Sequence, residues 1–381
     1  MALVLTEEQR MLQDAARNFC TENCPVSVLR RLRDEGSETG YDEKIWAQMI
    51  ELGWAGMALP EEYGGFEFGY SGLGIVLEET GRTLASSPLI STVLLGATAI
   101  NLLGNEAQKS ECLPKIVAGE LTVAFALDDT PFHNPAHLVT TAQADSNGYL
   151  LNGQKCFVLD GHVANKLLVV ARMAGADSGR DVACFLIDAD TPGISVQRTA
   201  MVDNRNSANI TFANVSVASE TLLGGGAHGV ESLNKILDIG RIGLAAEMLG
   251  SVQQVFEQTV EYLKQREQFG VLIGAFQALQ HRAAEMYSEI ELCKSVVRAA
   301  LAALDDADTD AAEIARMASL AKAKLSEVYE LVSNEGIQMH GGIGMTDEFD
   351  IGFYLKRARV AQQYLGDAAF HRDRYATLQH F

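Results

Sequence analysis

No uncharged apolar stretch in the 381 residues approaches the length that crosses a bilayer. The segment from Met1 to Arg10 meets Glu7 and Glu8 before a signal-peptide core can build. Neither a membrane protein nor a secreted one is expected, and a cytoplasmic location is. Basic residues are in deficit, with 30 Lys and Arg against 50 Asp and Glu and a formal net charge of −20. Such a surface repels phosphate backbones and anionic lipid, which argues against nucleic acid or a membrane as the main partner. A small anionic ligand stays compatible, because a local basic pocket can hold it. The six cysteines, at 20, 24, 112, 156, 184 and 293, are scattered as reduced thiols would be. Cys20 and Cys24 lie one helical turn apart, but no second Cys or His pair completes a zinc set, so no metal is expected and buried thiols are.

Nucleotide and hydrolase signatures are missing too. There is no Walker A sequence, no Gly-x-Ser-x-Gly elbow and no paired-His zinc helix. Gly342-Ile343-Gly344 is a fragment without the strand–helix unit a dinucleotide site needs, and it reads as a reversal between helices. Hydrophobic residues at 48% and charged residues at 21% describe a globular chain, and its length calls for two or three domains.

Periodicity changes twice along the chain. Residues 1–120 read as helical, from a capping box at Thr6-Glu7-Glu8-Gln9 and an apolar face of Met11, Leu12, Ala15, Ala16 and Phe19. Further helices are expected around 43–53, 70–84 and 90–103. Leu59-Pro60-Glu61-Glu62-Tyr63-Gly64-Gly65 breaks the pattern as a loop. Residues 121–227 read as strands at Val123–Leu127, Val139–Ala144, Lys155–Leu159, Leu167–Ala171, Ala183–Ile187 and Asn209–Val215. Asn152-Gly153 is expected to turn a hairpin between Tyr149–Leu151 and Lys155–Val158, and Pro192-Gly193 to mark another reversal. Residues 228–381 are helical again near 229–265, 274–304, 310–339 and 349–378, which suits an antiparallel bundle. The fold class expected is α+β: an N-terminal helical domain, a middle antiparallel β domain and a C-terminal four-helix bundle.

A few polar residues stand out. Glu247 is the only ionisable group between Arg241 and Glu257, in a run of small and apolar residues. Desolvated there, it can act as a base, or it can simply pair with an arginine. Arg266, before Glu267-Gln268-Phe269-Gly270, can clamp a phosphate or can be an ordinary solvated helix end. Asp367, His340 and His371 read as surface groups.

Taken in order, Leu59-Pro60…Tyr63-Gly64-Gly65, Asn152-Gly153-Gln154-Lys155, Arg266-x-x-Phe269-Gly270 with Phe276-Gln277, and Gln338-Met339-His340-Gly341-Gly342-x-Gly344 resemble the acyl-CoA dehydrogenase family over nearly the whole chain. The resemblance implies a tightly held FAD between the β domain and the C-terminal bundle. Phe125, Leu127 and Asp128 would run along the flavin, with Phe157 and Leu159 flanking it. Arg266 and Phe269 would reach the pyrophosphate of a neighbouring subunit's FAD, and Gln338, Gly341 and Gly342 its ADP half. It further implies an acyl-CoA substrate, α,β-desaturation, electron transfer to an electron-transfer flavoprotein, a place in fatty acid metabolism, and a homotetramer or homodimer.

The sequence departs from the family at the base. Leu365 stands where the family's Tyr-Glu-Gly-Thr motif carries its glutamate, and Gly240 fills the second customary place, before Arg241. Glu247, seven residues beyond Gly240 and about 10 Å along the same helix face, is the first candidate, and Asp367 the second. A third possibility is a base supplied by an active partner, as in heterotetramers that pair complete with incomplete family members. Arg241 is expected to steer the CoA end or order the pocket, or to pair with Asp238. The family's Thr-Glu-Pro-Gly-x-Gly-Ser-Asp segment is replaced by Asp128-Asp129-Thr130-Pro131-Phe132-His133-Asn134-Pro135, and Leu159 replaces a common hydroxyl residue. The expected function is thus an FAD-dependent acyl-CoA dehydrogenase. The alternatives are a catalytically incomplete subunit of a heteromeric dehydrogenase, or a flavin monooxygenase on the same fold.

Overall fold

A computed structural model describes residues 4–175, 182–226 and 229–381. The expected domain boundary at 227/228, and the first three residues of the N-terminal reading, lie outside the described residues. The chain divides into two compact units, Glu35–Gly69 with Ser87–Gly240, and Met1–Asp34 with Tyr70–Ser86 and Arg241–Phe381. The division falls inside the longest helix.

The first unit is built on a seven-stranded sheet. Its strands are β1 (Val123–Ala126), β2 (Thr141–Asp145), β3 (Gly148–Val158), β4 (Lys166–Met173), β5 (Val182–Asp188), β6 (Ile194–Arg198) and β7 (Ala208–Ala218). The path is β1-β4-β2-β3-β7-β6, with β5 also pairing β4. Pairing is antiparallel except that β4 runs parallel to β1 and β2. Alternating Ala, Val, Ile and Phe positions, among them Ala142, Leu151, Val169, Phe185, Ile210 and Phe212, close one core. Helices α3 (Glu43–Glu51), α5 (Thr98–Leu103) and α6 (Glu106–Val117) belong to this unit. So does the π-helical stretch Leu89–Ala97, whose Thr92 hydroxyl exchanges hydrogen bonds with the backbone of Val123 at 2.9 and 3.1 Å.

Two sequence expectations fail here, and one strand was not anticipated. Asn152-Gly153 is no hairpin turn: β3 runs straight through it, and the reversal is Ser146-Asn147, where the N–H of Asn147 is donated to Asp145 at 2.8 Å. Gly153 instead sits at a register shift of β3 against β7, with φ at +145°. A Cβ there would lie 2.5 Å from the Thr140 hydroxyl, so the glycine marks a bulge and a close approach. Strand β2 starts at Thr141, not Val139, because the N–H groups of Val139 and Thr140 are donated to the Asp129 carboxylate. Edge strand β6 was invisible because its side chains are largely exposed and polar.

The second unit is helical. It holds α1 (Glu7–Asn23), α2 (Val26–Asp34), α4 (Gly69–Arg82), most of α7 (Gly229–Gln265), α8 (Gln277–Asp305), α9 (Ala311–His340), α10 (Ile351–Gln363) and α11 (Ala368–Leu378). The expected capping box is present: Gln9 donates its N–H to the Thr6 hydroxyl at 3.1 Å, and Thr6 donates its own to Gln9 Oε1 at 3.0 Å. The buried face of α1 is centred on Ala16 and Cys20, whereas Met11 is exposed. Helices α2 and α6 were not anticipated. The single helix expected near 349–378 is two, broken where Leu365 and Gly366 take φ of +59° and +106° and Asp367 caps a new helix.

Helices α4 and α7 touch backbone to backbone. A Cβ on Gly250 would lie 1.7 Å from the carbonyl oxygen of Glu78, and one on Gly81 2.0 Å from that of Glu247. Ser251 completes the crossing by donating its hydroxyl to the carbonyl of Gly81 at 2.8 Å. Because the obstructing atoms are backbone, no rotamer change relieves the clash. Gly250→Ala is therefore expected to destabilise the protein by about 3 kcal/mol. Gly342→Ala, whose Cβ meets nothing within 4 Å, is expected to be nearly neutral. Urea unfolding of both variants checks the contrast.

Candidate active site

The sheet unit holds Phe125, Leu127, Asp128, Phe157 and Leu159. Phe125 is buried within β1, and the chain leaves that strand through Leu127 and Asp128. Lys155, fully buried, donates to the Leu127 carbonyl at 2.6 Å and pairs with Asp129 at 2.7 Å. Burial alone would raise the Asp129 carboxyl. The Lys155 ammonium and the donors of Thr140 and Val139 outweigh it and hold Asp129 below the usual carboxylate range. Cys156 donates its N–H to the Asp128 carbonyl at 2.7 Å, and the Asp128 carboxylate holds the His133 ring at 3.0 Å. The rebuilt 128–135 segment is thus tied down by a carboxylate–imidazole contact.

Strand β3 shifts register again between Lys155 and Val158. Phe157 there has φ of +51°, and Asp160 follows at +56°. Left-handed backbone at two non-glycine residues so close together is costly and needs outside support. Phe157 donates its N–H to Asn209 Oδ1 at 3.1 Å, and the buried Asp160 carboxylate accepts from Ser91 at 2.5 Å and Asn206 at 2.9 Å. Burial raises the Asp160 carboxyl against these two donors. The bend leaves Phe157 partly exposed and Leu159 half-buried.

The helical unit holds the other cofactor candidates. Arg266 follows the last residue of α7 and leads into a miniature hairpin, β8 (Glu267–Gln268) and β9 (Val271–Leu272). Phe269 and Gly270 form its turn with φ of +55° and +79°, both positive as a two-residue hairpin turn demands. Phe269 is 92% exposed, and its ring lies in edge geometry with Phe276 at 6.2 Å between centroids. Gln338 is exposed near the end of α9, and Gly341, with φ of +67°, and Gly342 leave open space around their Cα atoms. An exposed guanidinium, an exposed ring and two uncrowded glycines are a donor set that fits a flat, phosphate-bearing ligand. His340 is not a surface group. It is buried, stacked on Tyr262 at 4.4 Å, with Nδ1 donating to the Gly336 carbonyl at 2.6 Å.

The base candidates lie in the same unit. Glu247 is buried on α7 and its carboxylate accepts from Arg357 of α10 at 2.6 Å, so it stands as the arginine-paired acid that its surroundings allowed. Asp367 spends a carboxylate oxygen on the N–H of Phe370 at 2.8 Å as the cap of α11. Its other surroundings are a cavity of about 200 Å³ lined by Ser326, Glu327, Glu330 and Gln362. Leu365 is buried, and its carbonyl accepts from Arg241 Nε at 3.2 Å and from His371 Nε2 at 3.0 Å. Arg241, completely buried, also lies 5.5 Å from the Phe370 ring. His371 is buried too, contrary to the surface reading. Burial first, then the Arg241 guanidinium, push it down to about 2, and it is a neutral imidazole with its proton on Nε2, donated to the Leu365 carbonyl.

Sequence reasoning missed Lys322, Arg357 and the bracing role of Lys155. A signal existed for the first: Lys322 falls on the stripe of α9 formed by Ala315, Ala318, Ser319, Leu325, Ser326 and Tyr329, all buried. A lysine on an apolar stripe is a buried lysine.

Comparison with known proteins agrees with this geometry along the whole chain. The family model for the acyl-CoA dehydrogenase N-terminal domain matches residues 6–120, that for the middle domain 132–215, and that for the C-terminal domain 227–377. The short/branched chain specific acyl-CoA dehydrogenase of Rattus norvegicus, a mitochondrial protein, is 31% identical over 95% of this chain and 83% of its own. Among solved structures, a variant of the Tcur3481–Tcur3483 steroid ACAD is 33% identical, covers 98% of both chains and has a TM-score of 0.87. A chain in the structure of the electron transferring flavoprotein of Acidaminococcus fermentans is 29% identical over 100% of this chain and 99% of its own, with a TM-score of 0.90. No helix among the described residues is long and apolar enough to cross a membrane. The chain belongs to the acyl-CoA dehydrogenase family, FAD-dependent oxidoreductases that act on acyl-CoA thioesters.

Proposed function

We propose that this protein is an FAD-dependent acyl-CoA dehydrogenase that desaturates the α,β bond of an acyl-CoA thioester and passes electrons to an electron-transfer flavoprotein. The Phe269 turn carries the reading. Phe269, 92% exposed on the tip of a two-residue turn, offers a stacking face, and the exposed Arg266 at the start of the same hairpin offers a planar cation for phosphate. Arg266 and Phe269, with Gln338, Gly341 and Gly342, would hold the pyrophosphate and ADP portions of an FAD bound by a neighbouring chain. Phe125, Leu127, Asp128, Phe157 and Leu159 would line the flavin of the chain's own site. Bound there, FAD supplies the acceptor for the hydride that leaves the β-carbon. The assembly is accordingly a homodimer or homotetramer, and the unpaired thiols favour a reducing compartment such as the cytoplasm.

The chain's own part in the chemistry is the α-proton. A thioester α-hydrogen becomes removable when its carbonyl is polarised and a carboxylate waits in a dry site. Glu247 is the proposed base. It is buried, anchored on a rigid helix, and held by Arg357, which must let it turn toward substrate. Arg241 orders the pocket by fixing Leu365. A second reading has a specific observation in its favour. Leu365 and Gly240 cannot accept a proton, Glu247 is engaged by Arg357, and Asp367 caps a helix. A heterotetramer with a second, complete family member would then supply the base, and the steroid ACAD that this chain resembles carries a paired designation.

Two experiments test these assignments. Anaerobic bleaching of the flavin by a panel of acyl-CoA thioesters is expected for the chain alone, and Glu247→Gln should slow it by at least a hundredfold while Asp367→Asn does not. Because Glu247→Gln strands a buried guanidinium at a cost of about 3 kcal/mol, the double variant Glu247→Gln/Arg357→Leu serves as the stability-matched control. Bleaching that requires a second chain, and is indifferent to Glu247, would establish the heteromeric reading instead. Separately, Arg266→Ala should lose FAD during gel filtration with an unchanged melting temperature for the apoprotein, since the side chain is exposed. Full retention of the cofactor would remove Arg266 from its site.

A further inference from the structure

The loop Tyr364–Asp367, between α10 and α11, is held from three helices at once. Arg241 of α7 and His371 of α11 both donate to the Leu365 carbonyl. Lys322 of α9 spans the bend, donating to the Gln362 carbonyl at 3.0 Å and the Gly366 carbonyl at 2.8 Å, with Ser326 Oγ at 3.3 Å as its remaining neighbour. Lys322 is completely buried, and its partners include no carboxylate. We propose that Lys322 is the positioning residue of this loop and that it works as an uncharged amine, clamping the carbonyls on either side of Leu365. The side chain at 365 is thereby kept at the place where the family resemblance sets a catalytic carboxylate.

The uncharged form follows from what the buried amine lacks. Nζ bonds to two carbonyls and to the Ser326 hydroxyl, all of them neutral, so no bonded group offsets the cost of holding a charge out of water. The charged surroundings agree. Arg241 from α7 and Arg357 from α10 are the nearest cations, while His371 on α11 is neutral. Asp367, at the head of α11, is the one opposing charge among the groups that act on Lys322, and a carboxylate oxygen of it caps that helix. On α8, which also packs against α9, Glu289 is taken by Lys324. Arg374 of α11 is bonded to the Ala315 carbonyl and Ser319. On α9 itself, Glu327 pairs with Arg372 and Glu330 with Arg359. Burial first, then Arg241, brings the Lys322 amine down to about 7. The clamp also accounts for the strained backbone, since Leu365 at +59° lies between its two anchor carbonyls and Gly366 at +106° bears the second of them.

This inference holds whichever carboxylate serves as base, and its test needs no turnover. Between about pH 7 and the ordinary lysine range the unfolded chain carries the proton and the folded chain does not. Lys322 therefore makes stability rise with pH across that window. The melting temperature of the FAD-loaded protein and hydrogen exchange at the amides of Leu365, Gly366 and Asp367 are measured from pH 6 to pH 10 for the wild type, Lys322→Met and Lys322→Arg. Lys322→Met is expected to speed exchange at these amides at least tenfold and to abolish this part of the alkaline rise. Lys322→Arg, which keeps donors but cannot discharge, is expected to protect the amides better than Lys322→Met and to lose the same rise. Unaltered exchange in Lys322→Met overturns the clamp, and an alkaline rise that survives in Lys322→Arg overturns the uncharged form. Should Lys322→Met not fold, Lys322→Gln, which is uncharged and too short to reach both carbonyls, replaces it in the exchange measurement, and unaltered exchange there overturns the clamp.

Discussion

A charge taken out of water must find its acceptors in the protein, and that requirement shapes the helical unit more than any other. Arg241, Arg357, Glu78, Glu79 and Glu247 are all nearly or completely inaccessible to solvent. Each has been given something specific to hold. Glu79 takes a two-pronged contact from Arg17 of α1 at 2.9 and 3.1 Å, Gln253 of α7 donates to Glu78 at 2.8 Å, and Glu247 meets Arg357. Pairs of this kind add little net stability over a hydrophobic replacement, yet losing one partner is expensive. They act as registration marks. The helices pack in the single arrangement that satisfies all of them, and the glycine contacts between α4 and α7 let the backbones come close enough for the marks to meet.

The legible and the illegible parts of the sequence divide along physical lines. Long helices such as α7, α8 and α9 show themselves because three or four turns of periodic apolar residues outweigh any local irregularity. The change to strands near residue 121 shows for the same reason. Features that depend on tertiary partners do not show. Asn152-Gly153 has the composition of a hairpin turn, but β7 on its far side extends the strand through it and turns Gly153 into a bulge. Val139 and Thr140 have the composition of a strand, but Asp129 captures their backbone N–H groups. His340 and His371, read as surface groups, are buried because each finds a carbonyl within reach. A residue's class predicts its solvent preference, not the acceptor that overrides it.

The candidate site divides in the same way. Arg266, Phe269, Gly341 and Gly342 are reached through the family resemblance, and their local backbone, a two-residue turn and an uncrowded chain reversal, is legible in the same short motifs. Glu247 can be singled out as an isolated acid in an apolar run, but no periodicity announces that its partner is Arg357, more than a hundred residues away. Lys322 shows the converse error. Its place on the buried stripe of α9 is visible in the sequence, but lysine's usual preference for solvent points the other way.

The loop around Leu365 does not depend on the side chain at that position, and the structure shows why. None of the three donors that hold the loop reaches for a side chain there. Arg241, His371 and Lys322 all bond to backbone carbonyls, of residues 362, 365 and 366. Backbone anchoring is indifferent to side-chain identity, so the loop's geometry is the same for a leucine at 365 as for a residue able to accept a proton. The same indifference explains how a leucine is tolerated in left-handed backbone, since the strain is borne by contacts that any residue at 365 would enjoy. Shape and reactivity are thus separately encoded in this part of the chain. A scaffold built that way can lose its base to another residue, or to another subunit, while still presenting a formed pocket wall.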